Sequence, residues 1–463
     1  MPAPAARHQL LIAEGRAAFD HGNFTAAREA FAAATSAQPD CPEALARLAE
    51  TCGVLGDHPA AAQHWSSVLV LRPGLAVAYT GLALTLRAIG RLEDATAQFE
   101  RAVAANPALA ETPLHSRHLP ALGRPGQAAT VFREALRLDP AHSGARFNLS
   151  LALFKGDFKT GALAYEARWK AEWRGRERPF SGPRWTGRPL PSGQSLLLWG
   201  EQGIGDEIMF AGLIPAAIQA AAGPCLVECA PRLVPLFARS FPLAHIVPRA
   251  DPPSPALPLA AAQAPLGALP GLLWPAGAPP VAPNHYLQAD PATKAQLRTR
   301  LDLLGAGPKI GIAWRGGHPA AGRPRVIPAP AWAPLFAHPD LVVINLQHGA
   351  TAEETAALAS AGGRLHTLAD IDPLRDMDTF AALVGSLDAI VAVDNSTIHL
   401  AAALGRPTAV LLAQDSDWRW GVDGTPCPWY PSLTRLRQSK ADDWAAPIQA
   451  ALDFLAALPP CRP

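Results

Sequence analysis

Two glycine- and hydroxyl-rich junctions hold most of the residues in this sequence that could do chemistry. The first is Gly200-Glu201-Gln202-Gly203-Ile204-Gly205-Asp206, between a short apolar run from Ser195 to Trp199 and an apolar helical run from Glu207 to about Ala221. The second is Asp394-Asn395-Ser396-Thr397, between the apolar run Ala389 to Val393 and a helical run from Thr397 to Leu404, with His399 one turn inside that helix. A strand, a small polar turn and a helix open a parallel α/β unit. At the second junction that order turns backbone N–H groups and the positive helix end toward a crevice, which suits a diphosphate. Plainer readings stay open: Asp394 or Ser396 caps its helix while His399 packs in the core, and Asp206 caps the helix after it.

These junctions need sheets to hold them. Further strands are expected over Pro224 to Cys229 and His245 to Pro248, and a second set over Lys309 to Trp314, Leu341 to Leu346, Ala389 to Val393 and Thr408 to Leu412. The Pro- and Ala-rich stretch from Pro252 to Pro283 reads as irregular loop with short helical pieces. The pattern predicts two Rossmann-like halves, 194–290 and 291–463. A cleft should lie between them at the carboxyl ends of the strands.

Residues 1–170 read differently. Gly22, Phe24, Ala27, Phe31, Ala34 and Pro39 are answered by Gly56, His58, Ala61, Trp65, Val68 and Pro73, and again by Gly90, Leu92, Ala95, Phe99, Ala102 and Pro107. Pro39, Pro73 and Pro107 lie 34 residues apart and Pro140 follows 33 further on. Four copies and a degenerate fifth at Gly156, Phe158 and Tyr165 resemble tetratricopeptide (TPR) repeats, pairs of antiparallel helices in which small alanines admit close packing and proline ends the second helix. Stacked copies form a concave groove suited to a protein partner, the alternative being a spacer or dimerisation surface. Residues 171–193, rich in Arg, Trp, Pro and Gly, read as a linker.

Composition excludes several classes. Charged residues are 17% of the chain, and 40 Lys+Arg against 39 Asp+Glu leave a formal charge of +1, too little to recruit nucleic acid. Six cysteines without a C-x-x-C pair offer no disulfide framework or zinc site, and Cys225 and Cys229 read as inert core thiols. No signal peptide and no transmembrane segment is legible, so a soluble, cytoplasmic protein is expected. Asp370-x-Asp372 and Asp376-x-Asp378 look like a manganese motif, but they fall in a loop where Asp378 is expected to cap a helix; no metal is predicted. The glycines at 200, 203 and 205 have the wrong order for a dinucleotide fingerprint, which argues against NAD.

The glycine-rich turn ending at Asp206, Gly311-Ile-Ala-Trp314-x-Gly316, Arg325-Val-Ile-Pro328, the run from Asp394 through His399 to Gly405, and Asp417-Trp-Arg-Trp420 with Pro428-Trp-Tyr-Pro431 and Arg437-Gln438 occur in that order. Together they resemble the bacterial TPR-linked relatives of glycosyltransferase family 9, the heptosyltransferase family. The resemblance implies an all-α TPR superhelix followed by a GT-B fold, and metal-independent, inverting transfer of a sugar from a nucleotide-sugar donor, with no cofactor. It makes Asp206 the general base, on the turn that includes Gly203 and Gly205. Arg325 becomes the cation for the leaving diphosphate, with Arg323 and Arg315 as nearby substitutes. Asp394, Asn395, Ser396, His399 and Gln347 become donor contacts, Gln347 being equally readable as a loop amide. The segment Gln263 to Pro270 keeps the family's Pro-Leu-x-x-Leu-Pro shape but is poorer in polar residues.

The reading is therefore a glycosyltransferase whose TPR groove recruits a protein, with flagellin as one candidate, or a surface-glycan acceptor. The same joining of TPR to GT-B in O-linked N-acetylglucosamine transferase favours a protein acceptor. A non-catalytic TPR scaffold with a degenerate transferase domain and a nucleotide-sugar epimerase are the alternatives.

Overall fold

Each early repeat turns on a glycine held at positive φ: Gly22 at 77°, Gly56 at 81° and Gly90 at 82°. A side chain at such a position costs about 1–2 kcal/mol, and glycine avoids it. The structure, a computed structural model, describes residues 4–106, 125–170, 177–255, 257, 260–274, 285–316, 325–362, 364–414, 416–422, 427–440 and 443–459. It divides into two compact units, Met1–Leu153 with Ala167–Arg174, and Phe154–Glu166 with Gly175–Pro463.

In the first unit the helices pair as the periodicity predicts: Pro4–Asp20 with Phe24–Ala37, Pro42–Val54 with His58–Leu71, and Ala76–Ala88 with Leu92–Ala105. The motif positions are the core. Ala27, Phe31, Ala34, Ala61, Val68, Ala95, Phe99 and Ala102 are fully buried and Trp65 nearly so. A β-carbon on Gly81 would lie 2.3 Å from the Trp65 ring, which shows how closely the helices approach. Residues 107–124, with Pro107, lie outside the described residues, and Pro125–Leu138 resumes the array. The degenerate fifth copy is divided: Ser143–Leu153 counts with the first unit, Phe158–Ala164 with the second.

The second unit contains two parallel sheets. In the first, β1 (Leu196–Trp199), β2 (Cys225–Cys229), β3 (Ala244–Pro248) and β4 (Ala262–Pro265) lie in the order β3-β2-β1-β4. In the second, β5 (Lys309–Ala313), β8 (Val342–Asn345), β9 (Leu365–His366), β10 (Ala389–Val393), β11 (Thr408–Leu412) and β12 (Thr434–Arg437) lie in the order β12-β11-β10-β5-β8-β9. A separate antiparallel ribbon joins β6 (Arg315–Gly316) to β7 (Arg325–Val326). β1, β5, β10 and β11 are buried at every position, as parallel strands covered on both faces must be. Strand order reverses between β1 and β4 and between β5 and β10, and a parallel sheet opens its crevice at such switch points. Both junctions singled out above sit there.

Four expectations are corrected. The stretch Pro252 to Pro283 contains, besides the short helical piece Leu269–Leu273 that was expected, the strand β4. Proline is tolerated in β4 because Pro265 closes an edge strand, where no ladder N–H is required. The helical run after the first junction is two helices, Ile204–Ala211 and Ile214–Ala221. Pro215 cannot donate to a continuing ladder, and Gly212 lies where a β-carbon would come within 2.9 Å of the Tyr286 ring. Asp206 is not a cap: Gly203 is the N-cap residue and Asp206 lies in the first turn. Likewise Asp376, not Asp378, caps Met377–Ser386, because its carboxylate reaches both Asp378 N–H and Thr379 N–H. Asp378 instead pairs with Arg239, and Asp370 forms a two-bonded pair with Arg300.

Burial pushes the Cys225 thiol up to about 12 and raises that of Cys229 as well. Among the described residues no single helix is long and apolar enough to cross a membrane; in the bent apolar pair Ile204–Ala211 and Ile214–Ala221, Ile208 to Ala211, Ile214, Ala217 and Ala221 are buried in the core.

Candidate active site

β10 delivers Asp394 to its carboxyl end, where the residue is 4% exposed. Asn395 caps the next helix, its Oδ1 accepting from Thr397 N–H and Ile398 N–H, while its Nδ2 donates to the Arg315 carbonyl. The cap is therefore neither Asp394 nor Ser396, and two of the helix's first N–H groups are already satisfied. Ser396 is exposed at the helix start. Gly316 packs so closely on this junction that a β-carbon there would lie 2.3 Å from the Asp394 carbonyl oxygen. Gln347 braces the neighbouring loop, since its Oε1 accepts from Trp314 N–H at 3.1 Å and Arg315 N–H at 2.8 Å. Arg315 itself is committed to Glu354 at 2.8 Å. The Arg325 backbone lies in the ribbon beside Gly316; its side chain, and all of Arg323, lie outside the described residues.

His399 is 3% exposed and its ring stacks on Trp420, with centroids 5.1 Å apart and planes at 21°. Its Nδ1 lies 3.0 Å from the Tyr430 hydroxyl. Burial lowers its pKa to about 4, against the opposing pull of Asp394, so the ring is neutral at physiological pH. The glycine-rich turn of the first sheet reaches this same place. A β-carbon on Gly205 would lie 3.0 Å from His399 Cδ2 and 3.5 Å from Ser396 Cα, so glycine lets the two halves meet.

Asp206 stands on that turn opposite Arg419. The Arg419 Nε donates to Asp206 Oδ1 at 2.9 Å, Nη2 donates to the same oxygen, and Nη1 donates to Asp417 Oδ1 at 2.6 Å. Oδ2 of Asp206 accepts no hydrogen bond from the described residues. Burial opposes the charge on Arg419, but Asp206 and Asp417 outweigh it and hold the guanidinium firmly protonated. Behind the turn, Glu207 is buried, accepts from Ala230 N–H at 2.8 Å and pairs with Arg249 at 2.8 Å; burial raises its pKa. Gln202 sits at φ 62°, a left-handed conformation unusual without glycine, and donates to the Tyr165 hydroxyl at 2.7 Å. An open cleft of about 440 Å³ adjoins the turn, lined in part by Gln202, Gly203, Arg232, Arg249 and Leu374.

Asp206, Asp394, Asn395, Ser396, His399, Gly203 and Gly205 thus converge across the two sheets, while Gln347 stands to one side as a loop brace. Arg419, Asp417 and Tyr430 were not named as site residues by sequence reasoning. Their signal was the Asp-Trp-Arg-Trp and Trp-Tyr block, but nothing local shows that Arg419 meets a residue 213 positions away.

A tetratricopeptide-repeat model matches residues 12–76 and 114–177, a second matches 76–109, and the glycosyltransferase family 9 (heptosyltransferase) model matches 331–447. Protein FlbA of Caulobacter vibrioides is 30% identical over 484 aligned positions, spanning 92% of this chain and 80% of FlbA. The chain belongs to the TPR-bearing members of glycosyltransferase family 9. Among solved structures, E. coli ADP-heptose LPS heptosyltransferase II is 16% identical with a TM-score of 0.42, covering 57% of this chain and 98% of that one. MamA is 20% identical with a TM-score of 0.31, covering 38% of this chain and all of MamA. At such scores neither adds to the assignment. In this family 9 member the match begins after the ribbon and runs through Asp394, His399 and Arg419 past β12, so the second junction lies inside it.

Proposed function

We propose that the protein transfers a sugar from a nucleotide-sugar donor to a macromolecular acceptor recruited by the TPR array, without a metal ion. The observation that carries this reading is Asp206: one carboxylate oxygen is fixed by Arg419, the other accepts no hydrogen bond from the described residues, and the turn that holds the residue packs against the Asp394–His399 junction. In the proposed reaction an acceptor hydroxyl oxygen attacks the anomeric carbon and its proton passes to Asp206 Oδ2. The bond from that carbon to the phosphate oxygen breaks, and the electron pair leaves with the nucleoside diphosphate. Asp394 and Ser396 hold the donor at the helix start, and Arg325 supplies positive charge to the departing diphosphate. A protein acceptor, flagellin among the candidates, fits the presence of repeats that ordinarily grip peptide segments.

The test begins with a panel of UDP-, GDP-, ADP- and dTDP-sugars, since a ligand bound to the native state raises its melting temperature. With the stabilising donor in hand, transfer is measured for wild type and Asp206→Asn in native cell extract and with purified flagellin. Turnover in the mutant should fall by about 10²- to 10⁴-fold with donor affinity retained. Wild-type turnover in Asp206→Asn would remove the residue from the mechanism, and donor binding without transfer to any acceptor would favour the scaffold.

A further inference from the structure

Arg419 is placed where an apolar side chain would pack at less cost. Its side chain is 16% exposed, and a guanidinium withdrawn from water is costly unless its charge and donors are met. Both needs are met by carboxylates, Asp206 from the turn after the first sheet's β1 and Asp417 from the loop after the second sheet's β11. The triad carries one negative charge in excess. If Asp206 takes the acceptor's proton, that excess disappears and Arg419 is still paired with Asp417, so no buried cation is stranded at the moment of transfer.

The turn that holds Arg419 is braced on several sides. Arg419 lies in the short 3-10 turn Trp418–Trp420, where Asp417 accepts from Arg419 N–H at 3.2 Å and Gly421 leaves at φ 59°. Arg435 and Arg437 of β12 donate to carbonyls of Val422 and Gly421 and hold the turn from behind. On its outer side the guanidinium lies 4.7 Å from the centre of the Trp418 ring, and Trp418 stacks on Phe154 with centroids 4.4 Å apart. Phe154 begins the segment that also provides Tyr165, the partner of Gln202 on the Asp206 turn.

We propose that Arg419 is the positioning residue of the transfer: with Asp417 as its permanent counter-charge, it fixes Oδ1 of Asp206 so that Oδ2 is offered to the acceptor hydroxyl. This rests on the reading of Asp206 as the base. Lysine cannot bind one oxygen through two N–H groups and a second carboxylate through a third in the same plane, so Arg419→Lys keeps the charge and loses the alignment.

Turnover is followed as nucleoside diphosphate released from the panel's stabilising donor, in extract of native cells lacking this protein. Arg419→Lys should lower kcat by about 10- to 100-fold, no more than Asp206→Asn does, with the donor KM and Kd within about twofold of wild type. Guanidinium at about tens of millimolar should restore part of the turnover of Arg419→Ala and none of that of Asp206→Asn. Phe154→Leu, which removes the stack without touching the triad, should lower kcat in the same direction by a smaller factor. Full turnover of Arg419→Lys beside an inactive Asp206→Asn overturns the inference and leaves the proposed function standing. Wild-type turnover of Asp206→Asn overturns both. Loss of melting temperature and donor affinity in Arg419→Lys and Arg419→Ala, with no guanidinium rescue, makes Arg419 structural and also overturns the inference.

Discussion

His399 offers a direct thermodynamic check of the site's geometry. Burial against Trp420 holds it neutral with a pKa of about 4, whereas an imidazole in the unfolded chain titrates near 6.5. The folded value is depressed, so the unfolded state binds the proton better. The associated stability is fully present above the unfolded value and is lost as pH falls through the window from 6.5 to 4. The whole shift corresponds to about 3 kcal/mol, and between pH 7.5 and pH 5 the loss should be about 2 kcal/mol. In His399→Asn the amide can still face Tyr430 but nothing titrates, so this part of the pH dependence should vanish. The assay is urea unfolding of the full chain at pH 5, 6 and 7.5, followed by tryptophan emission, which reports chiefly on the second unit because most tryptophans lie there. Taking the difference between wild type and variant cancels Glu207 and Glu228, whose raised values act in the opposite sense. Parallel stability curves for the two proteins across that window would refute a buried neutral imidazole.

Three further outcomes are expected. Gly316→Ala sets a β-carbon 2.3 Å from a backbone oxygen that cannot rotate away, so it should destabilise by about 1–3 kcal/mol and weaken donor binding; unchanged melting and calorimetric affinity would remove the ribbon from the site. Asp394→Asn should weaken donor binding by about 1.5–3 kcal/mol if the carboxylate accepts a donor hydroxyl, as isothermal calorimetry would show. Transfer should continue in EDTA, and activity that returns only with manganese or magnesium would refute the metal-free reading.

The repeats and the buried strands were legible because each is written in local periodicity: small and aromatic residues recurring every 34 positions, and unbroken apolar runs such as Ala389–Val393. Caps were less legible. Asn395 and Asp376 each stand beside another polar residue able to cap, and which one does so depends on where the preceding strand or loop ends. β4 was hidden by its two-proline neighbourhood and by alanines that carry little strand preference. Arg419 was hidden for another reason. Its partners are set by the closure of one sheet against another, and no spacing within the sequence encodes that meeting.

The division of the fifth repeat bears on how such chains change over generations. Duplication or loss of a 34-residue step among the early copies lengthens or shortens a stack of like parts, and nearest-neighbour packing accommodates either event. The last copy has no such freedom, because Phe154 and Tyr165 are built into the unit that holds the sheets, against Trp418 and Gln202. Related chains should therefore differ in repeat number by whole steps near the amino terminus while the final half-repeat is inherited with the transferase.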